Sequence, residues 1–138
     1  MTLSIDTNIF VDLIRARTPL VRSRLQAAQE DDQTLVASLV VFHELKFGAE
    51  RDLNPERQRA NVERALGDVE IVPFDENDMI VTARIRADLT RRGRPIGAYD
   101  LLIAGQALAR GWTVVTANTH EFTRIDGLNV IDWTAPAD

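Results

Sequence analysis

Thr2-Leu3-Ser4-Ile5-Asp6-Thr7-Asn8-Ile9-Phe10 is the stretch from which the rest of the chain is read. Its first residues alternate in polarity as a short strand does, and the run stops at an aspartate. Asn8 to Arg15 then shows helical apolar spacing through Ile9, Phe10, Leu13 and Ile14. A strand that passes into a helix across an acidic residue is the start of an α/β unit.

The alternation continues outward. Pro19 suits the first turn of a second helix reaching about Glu30, and Thr34-Leu35-Val36-Ala37 reads as a buried strand. Ser38 can cap a helix from about Leu39 to Glu50, and Asn54-Pro55 punctuates before a polar, largely exposed helix from Glu56 to Leu66 that Gly67 ends. Glu70-Ile71-Val72 is a third strand, closed by Pro73. Asp75 can cap a long helix to about Arg92, with Met79, Ile80, Ala83 and Leu89 expected inward. Beyond the basic loop Arg91-Arg92-Gly93-Arg94-Pro95, Ile96 to Arg110 is strongly helical and Gly111 stops it. Trp112 to Thr116 is a β-branched strand giving way to Ala117-Asn118, and Leu128-Asn129-Val130-Ile131 is the last strand. The expectation is an α/β fold over residues 1–138, one domain, with a mostly parallel sheet and helices on both faces.

Composition narrows the chemistry. With 138 residues, 45% hydrophobic and 27% charged, the chain is long and apolar enough for one packed core. It has no cysteine, which excludes disulfides, thiolate zinc sites and thiol nucleophiles. Neither a basic leader nor a membrane-length apolar run is visible, so a cytoplasmic protein with no membrane attachment is expected. The net charge of -5 weighs against a protein that coats phosphates, yet it suits one that gathers carboxylates around a cation.

The placement of particular acids carries the functional reading. Ligands of a parallel sheet gather outside the carboxyl ends of its strands, where Asp6 and Asn118 both fall. Glu44 lies one helical turn from Val40 and Val41 on one side and from Phe47 and Gly48 on the other. Asp100 stands in the same way among Ile96, Gly97, Ile103 and Ala104, so both are expected to project from apolar faces into the core. Isolated buried carboxylates cost several kcal/mol, which calls for a compensating cation. Oxygen ligands favour magnesium or manganese, and phosphodiester hydrolysis is the natural chemistry of such a site.

Each residue alone has a plainer reading. Asp6 suits an N-cap, Glu44 or Asp100 can pair with an arginine, and Asn118 is an ordinary turn residue. Glu121 reads first as a solvated loop acid, with a share in the site's charge as the alternative. His43-Glu44 begins like a zinc-protease motif, but Phe47 stands where the second histidine is needed, leaving His43 as a surface or partner-facing residue.

Taken together, Ile5-Asp6-Thr7-Asn8-Ile9-Phe10, the Glu44 helix, Ile96-Gly97-Ala98-Tyr99-Asp100-Leu101-Leu102-Ile103-Ala104 and Thr116-Ala117-Asn118-Thr119-His120-Glu121-Phe122 resemble the VapC toxins of PIN-domain type II toxin–antitoxin systems. The Asp100 block is the most specific part. The resemblance implies a PIN-like three-layer fold and a Mg2+- or Mn2+-dependent endoribonuclease acting on RNA. It also implies a homodimer held silent by a cognate VapB-like antitoxin, with DNA reached only indirectly, through that antitoxin. Asp6 and Asp100 match the family's principal metal-binding aspartates, Glu44 its helical acid, and Thr116 the hydroxyl residue ending the strand before the fourth acid. Asn118 departs from the aspartate often found at that fourth position. Lacking charge, it would hold a second metal more weakly, so one well-bound metal is expected.

Two other functions compete. An aspartyl phosphotransferase or receiver needs a second acid beside Asp6 and a late lysine, whereas the one lysine is Lys46. A catalytically weak PIN-like RNA-binding or partner-binding module has Asn118 as its hint. Arg84, Arg86, Arg91, Arg92 and Arg94 are expected either to guide RNA or to form a solvated face, and the acidic pocket to accept a cationic group from the partner.

Overall fold

The computed structural model describes residues 1–136. Its elements follow the order β1 (Thr2–Ile5), α1 (Thr7–Arg15), α2 (Pro19–Glu30), β2 (Thr34–Ser38), α3 (Leu39–Glu50), α4 (Pro55–Leu66), β3 (Glu70–Val72), α5 (Glu76–Arg91), α6 (Ala98–Arg110), β4 (Thr113–Val115), α7 (Thr119–Phe122) and β5 (Asn129–Ile131). The predicted elements are all present, with ends that differ by no more than two residues. The short α7 was not expected.

The five strands form one sheet in the order β3-β2-β1-β4-β5, and every pairing is parallel. Leu3, Ser4 and Ile5 are all buried, as are Thr113, Val114 and Val115, because central parallel strands are covered on both faces. With the right-handed crossovers that parallel strands take, this order places α1–α4 on one face and, on the return from β3 to β4, α5 and α6 on the other, in keeping with the packing of α1 on α2, α3 and α4 and of α5 on α6. The chain reverses its direction of travel at the β1–β4 pair. There the helix amino ends open a crevice above the strand carboxyl ends.

Local chemistry fixes the ends of the helices. Ser38 accepts from the Val41 N–H, Asn54 from Arg57, and Asp75 and Asp78 form a reciprocal capping box. Gly111 takes φ 71° to stop α6 in the left-handed conformation.

The inward face of α5 differs from expectation. Met79 and Ile80 are 38% and 45% exposed and Ala83 is also exposed, while Asp78, Thr82, Ile85 and Leu89 face inward. The reason lies on α6. A Cβ on Gly105 would fall 2.9 Å from the Thr82 Cα and closer still to its hydroxyl, so the two helices meet almost backbone to backbone along a stripe of small and polar residues. Met79 and Ile80 are too bulky for that seam.

Asp78 is tolerated inside because Arg110 donates to it from Nε at 3.0 Å and from Nη2 at 2.7 Å. Burial pushes its carboxyl upward, but the Arg110 hydrogen bonds and charge, with the Asp75 N–H, outweigh burial and hold it below the ordinary aspartate range. A depressed folded-state value means that this stabilisation is present above the unfolded aspartate pKa of about 3.9 and is lost as pH falls through the folded value. The expected result is a fall in urea midpoint below about pH 4 that Arg110→Met makes shallower. An identical acid limb in both proteins would remove the pair from this role. No helix among the described residues is long and apolar enough to cross a membrane.

Candidate active site

Above the β1–β4 pair, Asp6, Glu44, Asp100 and Asn118 line one cleft of about 470 Å³, together with Thr7, Asn8, Val11, Asp12, Arg17, Ala117 and Thr134. Four elements therefore bring the sequence-predicted residues together. Thr116 lies just beneath, fully buried, with its hydroxyl turned to the same place.

Asp6 is both an N-cap and a site acid. Its Oδ1 accepts from the Thr7 N–H at 2.7 Å, capping α1, while Oδ2 accepts from the Thr116 hydroxyl at 2.8 Å and the Asn8 amide at 3.2 Å. Asn8 ties the two central strand ends together: its amide also reaches Thr116 Oγ1 at 3.2 Å, and its Oδ1 accepts from the Ala117 N–H at 3.0 Å. Asn8 has no site role in the sequence reading, where it starts a helix and belongs to the Ile5-Asp6-Thr7-Asn8-Ile9-Phe10 motif.

Glu44 and Asp100 do not enter the core. The packed face of α3 is Val41, Leu45 and Ala49, and Glu44 stands half-buried beside it, one turn before the 57% exposed Phe47. The Thr7 hydroxyl donates to Glu44 Oε1 at 2.8 Å. Asp100 sits half-buried in the first turn of α6, where the helix amino end favours an anion.

Asn118 begins α7 and donates from one amide nitrogen to Asp100 Oδ2 and to Glu121 Oε2, each at 3.0 Å. Glu121 is thus turned into the site, which corrects the solvated-loop reading. Phe122 anchors α7 in the core at 0% exposure, and this fixes the direction in which Glu121 points. His43 does lie at the surface, its ring edge-on to Tyr99 at 6.0 Å.

The charges are unbalanced. Burial lifts the Asp6 carboxyl above its usual range and Glu44 adds to this, against hydrogen bonds from Thr116, Thr7 and Asn8. Asp100 is pushed up to about 7, first by burial, then by its contact with the Glu121 carboxyl and the charges of Asp6 and Glu121. The Asp100 contact holds Glu121 below its usual range, so the two acids titrate as a pair.

A divalent cation fits this donor set. The groups are hard oxygens, and two raised carboxyls face one cleft whose repulsion a cation would relieve. Among the described residues no three carboxylate or imidazole groups converge on a single point. Glu44 is bonded to the Thr7 hydroxyl, and Glu121 to the Asn118 amide beside Asp100. The arrangement suits an ion with few protein ligands that retains water, as magnesium does. Arg84, Arg86, Arg91, Arg92 and Arg94 lie outside the lining of the cleft, and Arg92 is tied to Asp88 at 2.8 Å.

Residues 3–128 match the PIN domain family. The chain is 39% identical, over 94% of its length and 96% of the relative's, to the tRNA(fMet)-specific endonuclease VapC of Salmonella typhimurium. It is 31% identical to the ribonuclease VapC2 of Rickettsia felis over 96% of this chain and 98% of that one. Its structure superposes with a TM-score of 0.91 and 30% identity on VapBC2 of Rickettsia felis bound to a promoter DNA fragment, covering 96% of this chain and 99% of that one. DNA-bound VapBC of Salmonella typhimurium matches with a TM-score of 0.88 and 38% identity, covering 96% and 98%. With a matching domain over most of its length, a relative 39% identical over nearly the whole of both chains and a superposition at a TM-score of 0.88 with 38% identity, this chain belongs to the PIN-domain family of VapC proteins.

Proposed function

We propose that this protein is a Mg2+- or Mn2+-dependent endoribonuclease and the toxin of a type II toxin–antitoxin pair. The observation that carries the reading is the convergence of Asp6, Glu44, Asp100 and Asn118 on one cleft at the reversal point of the sheet. Asp6 and Asp100 would hold the ion, with Glu44 beside them. When bound, the ion would supply charge for the phosphoryl oxygen and acidify an attacking water. The chain's own residues set the geometry. The Thr116 hydroxyl and the Asn8 amide orient Asp6, Thr7 steadies Glu44, and Asn118 holds Asp100 and Glu121 side by side. Asn118 is the one feature favouring an inactive binding module, and Glu121 weakens that case by supplying the missing charge next to it.

The partner would be a VapB-like antitoxin, with the toxin as a homodimer and DNA contacted only through the antitoxin. A groove of about 1020 Å³ adjoins the catalytic cleft between α1, α3 and α4, shares Thr7, Val11 and Glu44 with it, and carries the exposed Phe47. A partner lying in it would reach the acids with a cationic side chain.

Relatedness to an endonuclease specific for tRNA(fMet) makes initiator tRNA the first substrate to test. Purified protein with magnesium or manganese is expected to convert it to discrete fragments, and chelator to abolish the cut. Intact initiator and elongator tRNAs under both metals, or cleavage that survives chelation, would overturn the proposal.

A further inference from the structure

One cationic side chain lines the cleft and has no part in the arrangement above. Arg17 lines the same opening as Asp6, Glu44, Asp100 and Asn118, yet no ion pair involves it among the described residues. It lies outside the regular elements, in the three-residue turn between α1 and α2.

That turn is held more firmly than a connection needs. Ala16 takes φ 50°, a left-handed conformation that a residue with a Cβ adopts at a cost of about 1 kcal/mol. Asp12, 8% exposed, captures the residue beyond Arg17. Its Oδ1 accepts from the Thr18 N–H at 3.1 Å and its Oδ2 from the Thr18 hydroxyl at 2.8 Å. The Arg17 N–H donates to the Asp12 carbonyl at 3.2 Å. A buried carboxylate thus closes the turn around one residue, and that residue is an arginine beside the acids.

We infer that Arg17 is a substrate-binding residue that takes a phosphate of the RNA strand next to the bond being cut. The other charged residues on the cleft, Asp6, Asp12, Glu44 and Asp100, are all acids, which repel a polyanion, and an ion held by them would offset only part of that charge. An arginine with no carboxylate of its own keeps its planar set of donors available to phosphate oxygens. The buried Asp12 lock holds the backbone at Arg17, so less freedom is lost when RNA binds. The inference rests on the ribonuclease reading for the identity of the polyanion, and it adds the group that orients it.

The test is binding of a short fluorescein-labelled single-stranded RNA of mixed sequence, in chelator, over a salt series, for wild-type, Arg17→Ala and Arg17→Lys proteins. Cleavage of initiator tRNA is measured alongside with metal restored. Arg17→Ala is expected to weaken binding about tenfold and to reduce the slope of log K against log salt by about one contact's worth. It should raise KM more than it lowers kcat, with melting temperature unchanged because the side chain is exposed. Arg17→Lys should recover the slope and part of the affinity. Equal affinity and slope in wild-type and Arg17→Ala would overturn the inference. So would a variant that binds RNA normally but has lost only its protein partner. Wild-type protein that binds RNA through Arg17 without cutting it would overturn the nuclease reading and leave this one standing.

Discussion

Asp100→Asn is expected to lower RNA cleavage at least about 100-fold while the protein stays folded. The substitution keeps the size of the side chain and the first turn of α6, so what it removes is charge. Burial first, then the contact with Glu121 and the charge of Asp6 across the cleft, leave Asp100 pushed up to about 7. In chelator the variant should therefore melt at the wild-type temperature or above it, since a like-charge contact has gone. With magnesium or manganese the order should reverse, because wild type gains stability from an ion that the variant binds poorly. Calorimetric metal binding, melting with and without chelator, and tRNA cleavage separate these effects. A variant that bound metal and cut at the wild-type rate would take Asp100 out of the site.

Phe122→Ala carries the largest expected loss of stability, about 3–5 kcal/mol for a fully buried ring, which is a drop of roughly 10–15 °C in Tm for a chain of this size. The consequence reaches the chemistry. Phe122 pins α7, whose amino end supplies Asn118 and whose third residue is Glu121, and Asn118 bridges Glu121 to Asp100. Cleavage assayed well below the variant's Tm should still fall, while Phe122→Leu should recover most of both losses. Circular dichroism melts and cleavage rates at one low temperature check this. A Tm within about 2 °C of wild type would show that the ring is not the anchor of α7.

Much of this architecture was readable from spacing, and the exceptions have physical causes. The strand and helix sequence followed from runs such as Thr34-Leu35-Val36-Ala37 and from caps such as Ser38 and Asp75, whose chemistry is local. The orientation of α5 was not local. Hydrophobicity favoured Met79 and Ile80, but the seam against Gly105 admits only the smaller face bearing Thr82. The helix α7 has four residues, too few for any periodic signal, so Glu121 lacked a direction until Phe122 was seen in the core. The acids Asp6, Glu44 and Asp100 stood out as polar groups beside apolar ones. Arg17 did not, because an exposed arginine in a turn is unremarkable until the turn is placed over the cleft.

The central pairing of β1 with β4 also has a consequence for synthesis on the ribosome. β1 is made first, yet its partner begins at Thr113, and the hydrogen bond from the Thr116 hydroxyl to Asp6 spans 110 residues. Contacts of that separation form late and slowly, since the intervening chain must be ordered first. A nascent chain can join β1, β2 and β3 with α1–α4, but it has no cleft until β4 and α7 have left the exit tunnel. An unfinished copy is therefore harmless to the RNA around it. Activity waits until β4 and α7 have followed β1, which leaves a growing toxin's partner the time of that synthesis in which to be present.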